Sequence, residues 1–309
     1  MSQPSEKPSI VVVGSSNTDM VIKADHLPVP GETILGGEFM MAAGGKGANQ
    51  AVAAARLGGQ VTFVSRVGND SLGEQAIAGY RAEGIDTSLI QRDEKPTGVA
   101  LILVDDKGQN VISVAPGANY SLSPADADRA EEAIARAKMV IVQLETPLDT
   151  IERTAKIAAR HGVAVILDPA PAPSEPLSDE LLANITYIKP NETEASRLTG
   201  IDVVDEASAR RAAEVLLAKG PRGVIVTLGA AGALVVPAEG RAQVLPSKKV
   251  DAVDATAAGD CFSGALAVAL AGGKSLLEAA RFAIDAAAIS VTRMGAQPSL
   301  PYARELEDR

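Results

Sequence analysis

Short, continuous runs of apolar and often β-branched residues recur along the chain at 9–13, 61–65, 139–143, 164–167, 186–189 and 223–228. Unbroken apolar runs of this length predict strands buried on both faces. Between them, Ala-, Glu- and Arg-rich segments carry helical spacing at 47–57, 71–83, 124–135, 148–160 and 206–218. The alternation of strand and helix predicts an α/β fold: a doubly wound, mostly parallel central sheet with helices on both faces. Two stretches break this rhythm with alternating apolar residues, the pattern of strands that keep one wet face. One is 33–40; the other is the pair 99–104 and 110–114, joined by Asp105-Asp106-Lys107-Gly108, a hairpin turn in which glycine supplies the positive φ. They predict a small projecting β-sheet, with lid segments at about 19–42 and 97–115 on a domain spanning 9–303. A projecting sheet with an apolar face serves as a lid over a site, as a dimer surface, or as both. Residues 1–8 are polar, carry Lys7 and read as a flexible tail.

Composition narrows the function. The 309 residues are 46% apolar and 22% charged, an ordinary globular mixture that excludes disorder. With 29 Lys and Arg against 39 Asp and Glu, the net charge of −10 argues against nucleic acid or an anionic membrane as the main partner. A local basic pocket for a phosphate remains compatible with it. Cys261 stands alone, so no internal disulfide is available, and with only His26 and His161 no Cys/His zinc site can be assembled. A reducing, cytoplasmic setting is expected. The longest apolar stretch, 264–271, is far short of the roughly 18 residues that span a bilayer.

The strongest chemical signal is Asp254-Ala255-Thr256-Ala257-Ala258-Gly259-Asp260-Cys261-Phe262-Ser263-Gly264, leading into the apolar run 265–270. Small residues open a helix with Asp260 in its first turn. Exposed N–H groups at such a terminus attract anions, and Gly259 leaves the backbone open to a phosphate. The plainer alternative is that Asp260 only complements the helix dipole. A second cluster, Gly44-Gly45-Lys46-Gly47-Ala48-Asn49-Gln50, also opens a helix; Lys46 and Asn49 are suited to sugar hydroxyls, or the cluster is a tight turn with a solvent-facing lysine. Asn17 and Asp19 follow the first strand at the carboxyl edge, where open α/β sheets place ligands, or form an Asx turn there. The segment Lys189-Pro190-Asn191-Glu192-Thr193-Glu194 suits Mg²⁺-bound water and phosphate oxygens, or is a helix N-cap. Gly273-Lys274-Ser275 fails the phosphate-loop pattern because Val268 stands where its first glycine belongs. A dinucleotide fingerprint is missing too, since Gly14-Ser15-Ser16-Asn17 follows the first strand; this demotes an NAD-dependent dehydrogenase.

Taken together, Gly44 to Ala51 (GGKGANQA) and Ala257 to Asp260 (AAGD) resemble the two signatures of the ribokinase-like carbohydrate kinase family. The likeness runs from Gly14 to Ser299, and GGKGANQA is closer to the ribokinases of that family than to its adenosine, fructose or ketodeoxygluconate kinases. The resemblance implies ATP-dependent phosphorylation of D-ribose at its 5-hydroxyl, with Asp260 as catalytic base. It implies that Asn17, Asp19, Gly45, Lys46, Gly47, Asn49, Glu145 and Asp260 hold the sugar. ATP would contact Asn191, the loop Thr227-Leu228-Gly229-Ala230-Ala231-Gly232, Gly259 and Asp260. Mg²⁺ would be reached through water by Glu194. A monovalent cation, K⁺, would be held near Asp254, Thr256, Ser290, Arg293, Gly295 and Ser299, largely through carbonyl oxygens. Dimerisation through the lid sheets is also implied. Ala255, Cys261 and Ile284 depart from the family pattern and bear on nucleotide preference rather than on the reaction. The alternatives are a kinase for deoxyribose or a nucleoside and, from another class, a non-catalytic sugar or nucleotide sensor, which leaves the pairing of Asp260 with an anion-binding turn unexplained.

Overall fold

In β1 (Ser9–Val13) each successive side chain enters a different core: Ile10 and Val12 belong to one apolar cluster, Val11 and Val13 to another. All four are buried, so the strand must be covered on both sides. The computed structural model describes residues 7–307; the first six residues of the expected tail lie outside them. Pro8 already accepts a hydrogen bond from the N–H of Gln60, beside the main sheet.

The chain continues through β2 (Asn17–Lys23), β3 (Glu38–Gly44), α1 (Lys46–Arg56), β4 (Gln60–Gly68), α2 (Ser71–Ala82), β5 (Ile90–Asp93), β6 (Gly98–Val104) and β7 (Asn110–Ala115). Next come α3 (Pro124–Arg129), α4 (Glu131–Arg136), β8 (Met139–Gln143), α5 (Leu148–Arg160), β9 (Ala164–Asp168), α6 (Asp179–Ala183), β10 (Tyr187–Ile188), α7 (Glu192–Thr199) and α8 (Glu206–Leu217). The remainder is β11 (Gly223–Thr227), β12 (Ala233–Pro237), β13 (Gln243–Leu245), α9 (Ala258–Ala271), α10 (Leu276–Ser290) and α11 (Arg304–Glu307).

The main sheet has the order β13-β12-β11-β10-β9-β8-β1-β4-β5. It is parallel from β5 to β11, and β12 and β13 are added antiparallel at one edge. Helices α1, α2, α9 and α10 cover one face, and α3 to α8 the other. From β1 the chain first builds outward to β4 and β5, then returns to lay β8 on the opposite side. The strand order therefore reverses at β1 and β8, whose carboxyl ends open a crevice.

The second sheet differs from expectation in three ways. Its order is β3-β2-β6-β7, so it includes a strand at 17–23. Asn17 and Asp19 are thus strand residues and not an Asx turn. The alternation at 33–40 is realised as a strand only from Glu38, because Gly36-Gly37 contribute no side chains to pack. Nor is one face apolar and the other polar. Met40, Ile112 and Val114 share the face of Asp19, while Ile22, Phe39, Met41, Leu101 and Val111 lie on the opposite face, and all eight are exposed. The 105–108 turn is as expected: the Asp105 carboxylate accepts from the N–H groups of Lys107 and Gln109, and Gly108 has φ 76°. The segment 124–135 divides into α3 and α4 at Ala130, where ψ is −2°.

Helices α1 and α9 cross closely at Gly264. A Cβ there would lie 2.7 Å from Ala53 Cβ and 2.9 Å from both Ala54 N and Gln50 O. Backbone atoms of a buried helix cannot give way, so Gly264→Val should lower the unfolding free energy by about 2–3 kcal/mol, read from urea denaturation.

Candidate active site

At the carboxyl ends of the central strands the apolar runs stop and buried polar residues take over. Ser15 and Ser16 follow β1, Gln143 ends β8, Asp168 ends β9 and Lys189 follows β10; all five are almost fully buried. The parallel register that pairs Ile188 with Leu167 places Lys189 beside Asp168. Their Nζ and Oδ2 are 3.0 Å apart.

The segment before α9 reaches this crevice through Ala257, whose φ of 59° makes it the one non-glycine residue at positive φ among the described residues. A left-handed alanine costs about 1–2 kcal/mol. The N–H groups of Gly259 and Asp260 that follow have no hydrogen-bond partner among the described residues, and they form the free N-terminus of a 14-residue helix. Asp260, 5% exposed, sits in that first turn. The α1–α9 crossing brings two amides onto its carboxylate: Asn49 Nδ2 donates to Oδ2 at 2.9 Å, and Gln50 Nε2 donates to Oδ1 at 3.0 Å. Burial lifts the Asp260 pKa above the usual carboxylate range; Lys46 opposes the rise and Asp168 adds to it.

The glycine cluster packs its turn against the start of β2. Gly45 has φ 88°, and a Cβ there would lie 2.7 Å from Asn17 N. The Lys46 N–H, at the start of α1, donates to Glu145 Oε2 at 3.0 Å, and Ser15 Oγ donates to the same oxygen at 2.5 Å. Ser15 Oγ accepts from Gly47 N at 3.3 Å. Lys46 is half-buried rather than solvent-facing. Burial alone would lower its pKa, but Asp260, Asp168, Glu145 and Glu194 outweigh burial and hold it raised. Asp19 is pushed up to about 6 by burial, then by Glu145 and Asp260. Asn17 Oδ1 accepts from Asn119 Nδ2 at 2.7 Å, and Asn119 Oδ1 accepts from Ser16 N at 2.8 Å. Asn49 Oδ1 is buried and has no partner among the described residues. Asn17, Asp19, Gly45, Lys46, Gly47, Asn49, Glu145 and Asp260 are thus gathered at one place beyond the carboxyl ends of the central strands.

In the neighbouring segment, 189–194, Asn191 is the N-cap of α7. Its N–H and Nδ2 donate to Glu194 at 2.8 and 3.0 Å, and Glu194 N donates back to Asn191 Oδ1 at 2.8 Å. Both Glu194 oxygens are thus engaged, and burial, then Asp168, raises its pKa. Thr227 N donates to Pro190 O at 3.0 Å, which docks the loop 227–232 beside Asn191. Thr227 and Leu228 are half-buried; Gly229, Ala230 and Ala231 form an exposed 3₁₀ turn closed by buried Gly232. Lys189 Nζ donates to Gly259 O at 3.3 Å and so ties this side to α9.

Of the expected cation ligands, three converge. Asp254 accepts from Thr256 N and Oγ1 at 2.9 and 2.6 Å and from Gly295 N at 2.8 Å. Burial would raise the Asp254 pKa, yet these bonds hold it low. The hydroxyls of Ser290 and Ser299 donate to Ala287 O and Ala296 O, and the Arg293 guanidinium pairs with Glu305 of α11. Sequence reasoning named Gln50 and Lys189 only as members of their motifs and assigned no role to them, nor to Asp168 or Gln143. A charged or amide residue at the carboxyl end of an apolar buried strand is the signal that marks the last three.

A doubly wound sheet whose switch point joins a cluster of buried polar side chains, a buried carboxylate and a free helix N-terminus has the arrangement of a small-molecule kinase. The chain belongs to the pfkB family of carbohydrate kinases, whose model matches residues 7–303. It is 47% identical over 298 residues to a ribokinase of Haemophilus influenzae, covering 96% of each chain. Among solved structures, the ribokinase from Thermotoga maritima has a TM-score of 0.89 at 42% identity, covering 98% of this chain and 99% of that one. The Arabidopsis thaliana ribokinase complexed with ribose and ATP has a TM-score of 0.91 at 35% identity, covering 98% of both. Among the described residues, no helix is long and apolar enough to cross a membrane.

Asp19 also makes a prediction about pH. Its folded pKa of about 6 exceeds the ordinary 3.8, so between these values the folded state holds more protons than the unfolded state. Its contribution to stability is therefore greatest below about pH 4, declines as pH rises towards 6 and levels off above. The unfolding free energy of the wild type minus that of Asp19→Asn, measured by urea denaturation across this range, should follow that curve.

Proposed function

We propose that this chain transfers the γ-phosphoryl group of ATP to the 5-hydroxyl of D-ribose, with Asp260 as general base. One observation carries the reading: a buried carboxylate with a raised pKa, held by Asn49 and Gln50, stands in the same helical turn as two free backbone N–H groups. Such a turn stabilises charge on a moving phosphoryl group while the carboxylate takes the proton of the attacking alcohol. The oxygen–phosphorus bond to ribose forms as the β–γ bridge breaks, and ADP leaves. Asp19, with Asn17, accepts from sugar hydroxyls; Lys46 and the buried Asn49 Oδ1 orient the same ring. Asn191 and the 227–232 loop receive the nucleotide.

Glu194 fits a hydrated Mg²⁺ rather than a bare one, because Asn191 already uses both of its oxygens. Bound there, Mg²⁺ supplies charge neutralisation on the phosphates. The oxygen-rich turns joined by Asp254 fit K⁺, with Thr256, Ser290, Arg293, Gly295 and Ser299 offering carbonyls next to the anion-binding turn. Bound K⁺ adds a fixed positive charge beside that turn. The sheet β3-β2-β6-β7 closes over the sugar with the face that carries Asp19 and excludes water. Its opposite face, with Leu101 56% exposed, packs on the lid of a second copy in a homodimer. The lone buried Cys261 supports a cytoplasmic setting.

With ribose, ATP, Mg²⁺ and K⁺, ADP release should be robust, and Asp260→Asn should lower kcat by about 10²- to 10⁴-fold with little change in KM for ribose. An unaltered kcat contradicts the role of Asp260. In the same assay 2-deoxyribose should be the poorer acceptor, since a missing hydroxyl leaves a buried acceptor unpaired. Leu101→Glu should convert a dimer to a monomer in sedimentation velocity; an unchanged sedimentation coefficient places any interface elsewhere.

A further inference from the structure

The pairing of Asp168 with Lys189 is not used by the reaction as described above, yet it lies directly behind the reacting groups. Both side chains are almost completely buried, with 2% and 4% of their surface exposed. Burying two charges costs more free energy than their attraction returns in most settings, so stability alone is a weak reason for the pair. Its hydrogen bonds point to another.

Lys189 Nζ donates to Gly259 O at 3.3 Å. That carbonyl belongs to the same peptide unit as the N–H of Asp260, one of the two donors left free at the start of α9. A positive charge on the carbonyl fixes the plane of this peptide and polarises its N–H toward an anion on the other side. The single Ser263 Oγ proton is shared between the same carbonyl, at 3.1 Å, and Asp168 Oδ2, at 3.0 Å, which braces the unit against the ion pair. From the other direction, Gln50 Nε2 donates both to Asp168 Oδ2 at 2.8 Å and to Asp260 Oδ1 at 3.0 Å. Gln143 Nε2 in turn donates to Gln50 Oε1 at 2.7 Å and sets which way that amide faces.

We propose that the buried Asp168–Lys189 pair is a positioning device for phosphoryl transfer, which holds the backbone N–H of Asp260 through Gly259 and the carboxylate of Asp260 through Gln50. It rests on the kinase reading above. The pair touches neither substrate and acts through Asp260. Because it grips both functional groups of one residue, their mutual geometry is set by a single buried contact between two adjacent strands. The consequence is specific to the transferring phosphoryl group, on which negative charge shifts in the transition state, and small for a bound diphosphate.

The test is the double variant Asp168→Asn with Lys189→Met, which removes both charges together and leaves neither buried alone. Its kcat should fall about 10- to 100-fold, while KM for ribose and the Kd for ADP, measured calorimetrically, stay within about threefold of wild type. A kcat within threefold of wild type overturns the proposal, as does a loss of ADP affinity equal to the loss of kcat. Should the double variant not fold, Gln50→Met cuts the link to the carboxylate and spares the ion pair. A kcat lowered about tenfold at unchanged ADP affinity then supports the proposal, and an unchanged kcat overturns it. A wild-type chain that phosphorylates no pentose removes the kinase reading itself, and the inference falls with it. An active wild type with an indifferent variant defeats the inference alone.

Discussion

A carboxylate that is to act as a base inside a protein must be buried enough to want a proton and partnered enough to stay where it is put. Here that requirement is met by the crossing of α1 and α9. Gly264 lets the two helices approach to backbone contact, and the approach lays Asn49 and Gln50 against the two oxygens of Asp260. The remaining features of the crevice depend on this contact. It orients the carboxylate, leaves the adjacent N–H groups free, and links α9 to the polar residues at the ends of β8 and β9.

The electrostatics of the crevice follow from the same crowding. Asp19, Asp168, Glu145, Glu194 and Asp260 influence one another or the two lysines, Lys46 and Lys189, across a buried space. Burial first, and neighbouring carboxylates after it, make Asp19, Glu194 and Asp260 bind protons more tightly than in water, while the surrounding carboxylates hold Lys46 firmly charged. A crevice of this sign does not draw in a nucleotide by net charge. It relies on local donors, such as a helix N-terminus, and on the cations that travel with the phosphates. The overall charge of −10 and a phosphate-handling site are therefore compatible.

The small sheet is the clearest case of a pattern that carries two meanings. Residues 110–115 alternate poorly because side chains on both faces are apolar: Val111 and Ile112 are neighbours in sequence, lie on opposite faces and are each more than half exposed. A strand of a central sheet has this property because helices cover it on either side. A free-standing sheet with it is left with uncovered apolar surface on both sides.

Much of the main sheet was legible in the sequence, since continuous apolar runs such as those at 9–13 and 139–143 have few other uses, and local signals marked most helices. The chemical residues of the crevice were legible as types and motifs: glycines where the backbone must turn or be approached, and an aspartate beside small residues at a helix start. Strand β2 was hidden, because Asn17 and Asp19 are polar at the position where an edge loop would be equally polar. Strand β12 was hidden by its proximity to β11. Which polar residues meet was settled by packing in three dimensions. The ends of apolar strands mark Asp168 and Lys189 as candidates, but nothing local says that they pair with each other or that Gln50 joins them, since that lies in the register between β9 and β10 and in the α1–α9 crossing. The sequence alone determined the elements and the class of chemistry, because these arise from short-range patterns of hydrophobicity and backbone freedom. The partnership of charges was determined by packing, because a buried charge takes its meaning from neighbours more than a hundred residues away along the chain.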